Sequence, residues 1–252
     1  MRHGSASDVF HRIIPLGLTL GEARAWYVNH VLIPRLRYAL AALTIGFIIL
    51  SALLTEIGQL LEQTLVTHMV VHDSLLLVAG FLLAFAVNAL IEVTPHLSEP
   101  FWQARNAWNR STLGMRALSM LAFGCAAFLV GYWYLPAQFS AAAASVSMDA
   151  EMSLAFLFAG GLIFVGACFL TRRTKLIALV IVGKALGLYG MFLLLIPRTL
   201  YPTYPSSEQV YAGTVLLFLM LILDFTIMPL WLYNYFGKRS VSLVAGDGTM
   251  VV

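Results

Sequence analysis

Six apolar stretches limit what this chain can fold into more than any motif does. They run roughly over Tyr38–Leu54, Thr64–Val93, Ala117–Tyr134, Met152–Leu170, Leu176–Ile196 and Tyr211–Tyr235. Crossing the ~30 Å hydrocarbon core of a bilayer takes ~20 consecutive apolar residues in a helix, and each stretch is of that order. With 60% hydrophobic and 11% charged residues and a mean hydropathy of +0.86, no water-soluble core hides this much apolar surface. The expected fold class is therefore all-α: a polytopic membrane helical bundle of about six transmembrane helices.

Threading the chain through these spans sends thirteen of its 15 Lys and Arg to one side. Arg2, Arg12, Arg24, Arg35 and Arg37 precede the first span, and Arg105, Arg110 and Arg116 lie between the second and third. Arg172, Arg173 and Lys175 join the fourth to the fifth, and Lys238 and Arg239 follow the sixth. The other side keeps only Arg198, while Lys184 falls inside a span. Cationic loops resist translocation, so the Arg-rich side is cytoplasmic. Both termini are then expected inside, in the inner (cytoplasmic) membrane. The pI near 9.0 follows from the same bias and points to lipid headgroups, with no nucleic acid implied. The first thirty residues are charged throughout and lack the pattern of a cleavable leader.

Three parts are expected along the chain. Residues 1–35 form a cytoplasmic or interfacial segment with an interfacial helix near Gly21–Val31, residues 36–237 the six-helix transmembrane domain, and residues 238–252 a cytoplasmic tail. The connection Thr94–Arg116, with two Trp, two Pro and three Arg, has an interfacial composition. The stretch Pro136–Ser147 reads as an outer loop or the frayed end of the third helix. Cys125 and Cys168 are expected to be packing residues inside spans, since a buried free Cys behaves as a small hydrophobe. No internal repeat argues for an inverted-repeat transporter.

Ionisable groups inside a span are costly, so each needs a partner or a purpose. The second span opens with Thr67-His68-Met69-Val70-Val71-His72-Asp73. His68 and His72, four apart, stack on one helical face about 6 Å from each other. Two imidazoles at that spacing can hold one metal, with Met69 or Asp73 as a softer or harder auxiliary. The same pair can equally hydrogen-bond neighbouring helices. Copper fits imidazole plus thioether, zinc stays open, and haem fits less well because no later span contains a second His. Glu56, Glu62, Asp149, Glu151 and Glu208 make an acidic outer rim that attracts cations or basic partners, although positive-inside bias alone leaves acids there.

Lys184 and Asp224 sit at equal depth, ~20 Å in from the outer ends of the fifth and sixth spans at ~1.5 Å per residue. An intramembrane ion pair is the simplest account. A proton or ion path needs further carboxylates, and Glu92 near the inner face is the only obvious one. The chain has no nucleophile elbow, phosphate loop or His-Glu-x-x-His, so no independent catalytic activity is expected.

Two stretches carry a family resemblance. One is the Thr67–Asp73 helix start. The other is Leu200-Tyr201-Pro202-Thr203-Tyr204, then Glu208-Gln209-Val210-Tyr211-Ala212-Gly213. Together they resemble the integral-membrane CtaG family of cytochrome c oxidase assembly factors. In that family a His-Met-x-x-His helix start and a Tyr-Pro-x-Tyr loop with an acidic-Gln pair recur. Glu208 stands where the family more often has Asp, and the six spans compare with its usual seven. The resemblance implies copper handled at the outer face by His68 and His72. Met69, Asp73, Tyr204, Glu208 and Gln209 would be auxiliaries, and the partners would be membrane subunits of a respiratory oxidase or copper enzyme. An alternative is a non-catalytic scaffold or accessory subunit of a larger respiratory or copper monooxygenase complex, and a third is a proton-coupled transporter using Lys184 and Asp224.

Overall fold

A computed structural model describes residues 28–93, 112–170, 172–196, 200–227 and 229. Among these residues every regular element is helical. They are α1 (Ile33–Leu53), α2 (Glu56–Glu62), α3 (Asp73–Val93), α4 (Thr112–Trp133), α5 (Pro136–Ala144), α6 (Val146–Phe169), α7 (Arg172–Leu195) and α8 (Ser206–Ile222). Short π-helical segments lead into α1 (Val28–Leu32) and α3 (Thr67–His72), and another continues α8 (Leu223–Ile227). Five helices are long and apolar enough to cross a membrane, and α4 with α5 makes a sixth if that bent pair is one span. The protein is a multi-pass helical membrane bundle, as the apolar stretches predict.

Hydropathy clips the polar first turns of two helices. The fourth span begins at Val146 rather than Met152, and the sixth at Ser206 rather than Tyr211. Asp149 and Glu208 occupy those first turns, where the helix dipole favours negative charge. A second difference lies at Pro136–Ala144, which is neither a loop nor a frayed end. Pro136 has no N–H to continue α4, so the last turn tightens, with Leu135 N–H on the Tyr132 carbonyl at 3.2 Å. A new helix then starts with Pro in its first turn, bent 67° from α4. The interfacial helix expected at Gly21–Val31 lies largely outside the described residues, as do residues 94–111 and the tail 238–252. Arg116, expected in a loop, belongs to α4.

α3 is packed between α1 and α6, and α6 between α3 and α4. The α3–α6 contact is backbone to backbone. A Cβ on Gly80 would lie 1.9 Å from the Leu157 carbonyl oxygen, and one on Gly160 2.1 Å from that of Leu77. Small residues permit this approach, which drives helix association where lipid supplies no hydrophobic force. α7 and α8 form a second close pair. Both cysteines are exposed on the outside of the bundle instead of packing within it; in a bilayer that surface faces lipid, where an apolar thiol is equally at home.

The largest buried side chains gather at one end of the bundle, among them Leu65, Phe139, Met152, Phe156, Leu193 and Tyr201. The starts of α3, α6 and α8 converge there with α5 and the ends of α4 and α7. At the far end Arg35 pairs with Glu92 at 3.1 Å, and Asn88 donates to the other Glu92 oxygen at 3.2 Å.

Candidate metal centre

The buried end holds the His-bearing segment. Thr64 caps it, its hydroxyl accepting the Thr67 N–H at 3.2 Å. The segment then runs π-helically, and Asp73 N–H bonds the His68 carbonyl five residues back. Five residues apart on an α-helix are about 140° apart around the axis. The wider π turn reduces that angle and swings Asp73 toward the His68 face; such single turns recur at functional sites. Asp73 therefore joins the two imidazoles directly. One ligand atom from each of His68, His72 and Asp73 lies within 4.8 Å of the others, and all three residues are buried.

Each ring is held differently. His68 Nδ1 lies 3.0 Å from the Tyr204 hydroxyl, which in turn lies 3.1 Å from the Glu62 carbonyl oxygen. A carbonyl only accepts, so Tyr204 gives it its single proton and His68 Nδ1–H donates to Tyr204. Burial, then the charges of Glu62 and Glu208, raise the Tyr204 phenol well above its ordinary value, so that proton stays in place. Neutral His68 consequently presents the Nε2 lone pair. Among the described residues that buried atom has no hydrogen-bond partner and lies 4.0 Å from Asp73 Oδ1. Asp73 Oδ2 likewise has none of good geometry: the Tyr134 hydroxyl stands beside this carboxylate but gives its proton to the Met69 carbonyl. Phe139, fully buried on α5, closes the site over His68 with ring centroids 4.8 Å apart.

His72 faces carboxylates on both sides. Its Nδ1 donates to Asp73 Oδ1 at 3.3 Å, and its Nε2 lies 3.5 Å from Glu62 Oε1. The two rings meet edge to face, with centroids 5.3 Å apart. Glu62 is the least buried member of this group, its side chain 31% exposed. Burial raises its carboxyl above the ordinary value, the neighbouring charge of Asp149 raises it further, and His72 pulls it back in part.

The break between α4 and α5 completes the support. The Tyr134 hydroxyl donates to the Met69 carbonyl at 3.0 Å, fixing the π turn. The Tyr134 carbonyl accepts Tyr201 at 2.7 Å and Tyr189 at 3.2 Å. Irregular backbone at membrane depth is tolerated where protein groups satisfy it in this way.

No protein-family model, curated protein or solved structure matches the chain.

The other expected auxiliaries have different placements. Met69 is buried in the apolar core. Glu208 accepts the Leu65 N–H at 2.6 Å, and Gln209 accepts the Leu200 N–H at 2.7 Å, so both tie α8 and its preceding loop into the fold. Lys184 and Asp224 do form an ion pair, between α7 and the π turn after α8. Sequence reasoning did not single out Tyr134, Phe139 or Tyr189, and it picked out Tyr201 only as part of the Tyr-Pro-x-Tyr loop, with no role of its own. The one signal of the first three was aromatic clustering at span ends, which an ordinary interfacial belt also gives.

The donors present fit a divalent metal ion. Two imidazoles and one or two carboxylates suit copper(II) or zinc, and at equal geometry copper is the stronger binder. His68 Nε2 and Asp73 Oδ2 would be the first ligands, since among the described residues neither has a well-formed hydrogen bond to give up. His72 would join by exchanging one carboxylate contact.

Proposed function

We propose that this protein binds a transition-metal ion, copper foremost, at the extracytoplasmic face of the inner membrane and supports assembly or stability of a respiratory oxidase. The carrying observation is a pair of buried ligand atoms, His68 Nε2 and Asp73 Oδ2, that make no good hydrogen bond among the described residues and lie within one cluster of His68, His72 and Asp73. A buried polar group without a partner is costly, roughly 1–3 kcal/mol, and a bound cation satisfies both atoms at once. Arg-poor connections at the His-bearing end support the outward placement. The motif resemblance to the CtaG family supplies the oxidase.

Burial suits retention of the ion, while half-exposed Glu62 offers a route between solvent and His72. The chain's own groups would orient one imidazole through Tyr204 and exclude water through Phe139. A metal supplied here would be positioned for transfer to a partner on the same face.

The test is replacement of His68 and His72 by Ala in the host cell. The expected result is loss of terminal oxidase activity and oxidase copper, with recovery on added copper salts. Full oxidase activity without supplementation would overturn the assembly role.

A further inference from the structure

The outward face of α7 carries a charge where a bilayer has hydrocarbon. Ile177, Ile181, Lys184, Leu188, Met191 and Leu195 recur at alternating steps of four and three residues, and each is exposed. The Lys184 side chain is 54% exposed, beside an Asp224 side chain that is 17% exposed. Lys184 lies near the middle of the apolar span Ile177–Leu195 of α7, ~10 Å from its nearer end at ~1.5 Å per residue. That is too deep for its four-carbon stem to bring the ammonium to the headgroups. Among the described residues Asp224 takes one of the three N–H donors, and the exposed neighbours one turn to either side, Ile181 and Leu188, offer the others no acceptor.

We propose that a second copy of this chain covers this face, forming a two-fold dimer in which each Lys184 lies against the Asp224 of both copies. Charge complementarity selects this occupant. The chain's own pair is neutral, so a cover must bring an acceptor for Lys184 and a donor for Asp224 at the same depth, with no net charge. A copy rotated about the membrane normal does so, because that rotation preserves depth. When α7 of one copy meets α8 of the other, the four charges alternate around a ring. The four-and-three spacing on α7 is the seam along which a second helix packs at about 20°. On α8 and the π-helical segment that continues it, Phe218, Leu221 and Phe225 repeat that spacing in sequence and are exposed.

The test is cysteine cross-linking in native membranes between differently tagged copies, in a C125A/C168A background. α7 and α8 run antiparallel, so Leu188 is level with Leu221 once Lys184 is level with Asp224. Copies carrying Leu188→Cys and Leu221→Cys should cross-link at least tenfold faster than either does with a Phe128→Cys copy on α4. In lipid discs K184M should weaken the dimer at least tenfold. The K184D/D224K swap, which keeps the in-chain pair, should retain it. A monomer at every concentration would overturn the proposal. So would a Leu188→Cys cross-link only to a different polypeptide, or a dimer indifferent to K184M. If K184M does not accumulate, the cross-link decides alone.

Discussion

His68 Nδ1–H donates a hydrogen bond to the Tyr204 hydroxyl, 136 residues along the chain and 3.0 Å away, and Tyr204 donates its own to the Glu62 carbonyl. This two-bond chain sets the tautomer of a buried imidazole and aims its other nitrogen at Asp73. Groups that orient a ligating His commonly change metal affinity 10- to 100-fold when removed.

Tyr204→Phe is accordingly expected to weaken metal binding about 10- to 100-fold. It should cost about 1–3 kcal/mol of stability, since His68 Nδ1–H loses its buried acceptor. Competition titration and thermal unfolding of the same preparation measure both. Unchanged affinity in a folded Tyr204→Phe protein would remove the tautomer role from Tyr204.

Glu62 makes the metal-free protein sensitive to pH. Its carboxyl is raised above 4.5, mainly by burial and then by Asp149, so just above that pH the folded chain binds more protons than the unfolded one. Metal-free stability should therefore fall as pH rises through this interval. Glu62→Gln should melt higher than the parent at pH 7 and converge with it below pH 4.5. With a cation loaded the slope should reverse, because the ionised carboxylate is then favoured. Melting curves at several pH values, with and without metal, read this directly. Parallel curves for parent and Glu62→Gln would contradict it.

Gly80→Ala tests the backbone contact of α3 with α6. Its Cβ would meet the Leu157 carbonyl at 1.9 Å, whereas one at Gly124 meets nothing within 4 Å. Gly80→Ala should cost about 1–3 kcal/mol through forced separation of the helices, with Gly124→Ala near neutral. Thermal unfolding in one detergent compares the two, and equal melting temperatures would contradict the close approach.

The spans were legible because crossing a bilayer leaves a signal in every residue of the segment. The His68–His72 pair was legible because a four-residue step is local. The membership of Asp73 was only half so: an α-helical reading places it off the His face, and the π turn that brings it round is held by Tyr134 from another helix. The same holds for Tyr204. Its loop could be picked out in sequence, but its bond to His68 exists only after α8 docks. The helix Pro136–Ala144 was missed because its short Ala-rich composition fits a loop as well as a lid. Glu208, an expected auxiliary through the motif resemblance, accepts the Leu65 N–H, and nothing local to Glu208 announces that partner.

The central claim is that His68, His72 and Asp73 hold a metal ion. The most direct measurement is metal stoichiometry, by elemental analysis with paramagnetic resonance, on detergent-purified protein loaded with copper(II). The His68→Ala/His72→Ala variant is measured in parallel. The account predicts about one ion per parent chain with imidazole nitrogen couplings, and none retained by the double variant while its helix content is unchanged. Parent and variant binding equal amounts, or neither binding any, would contradict it.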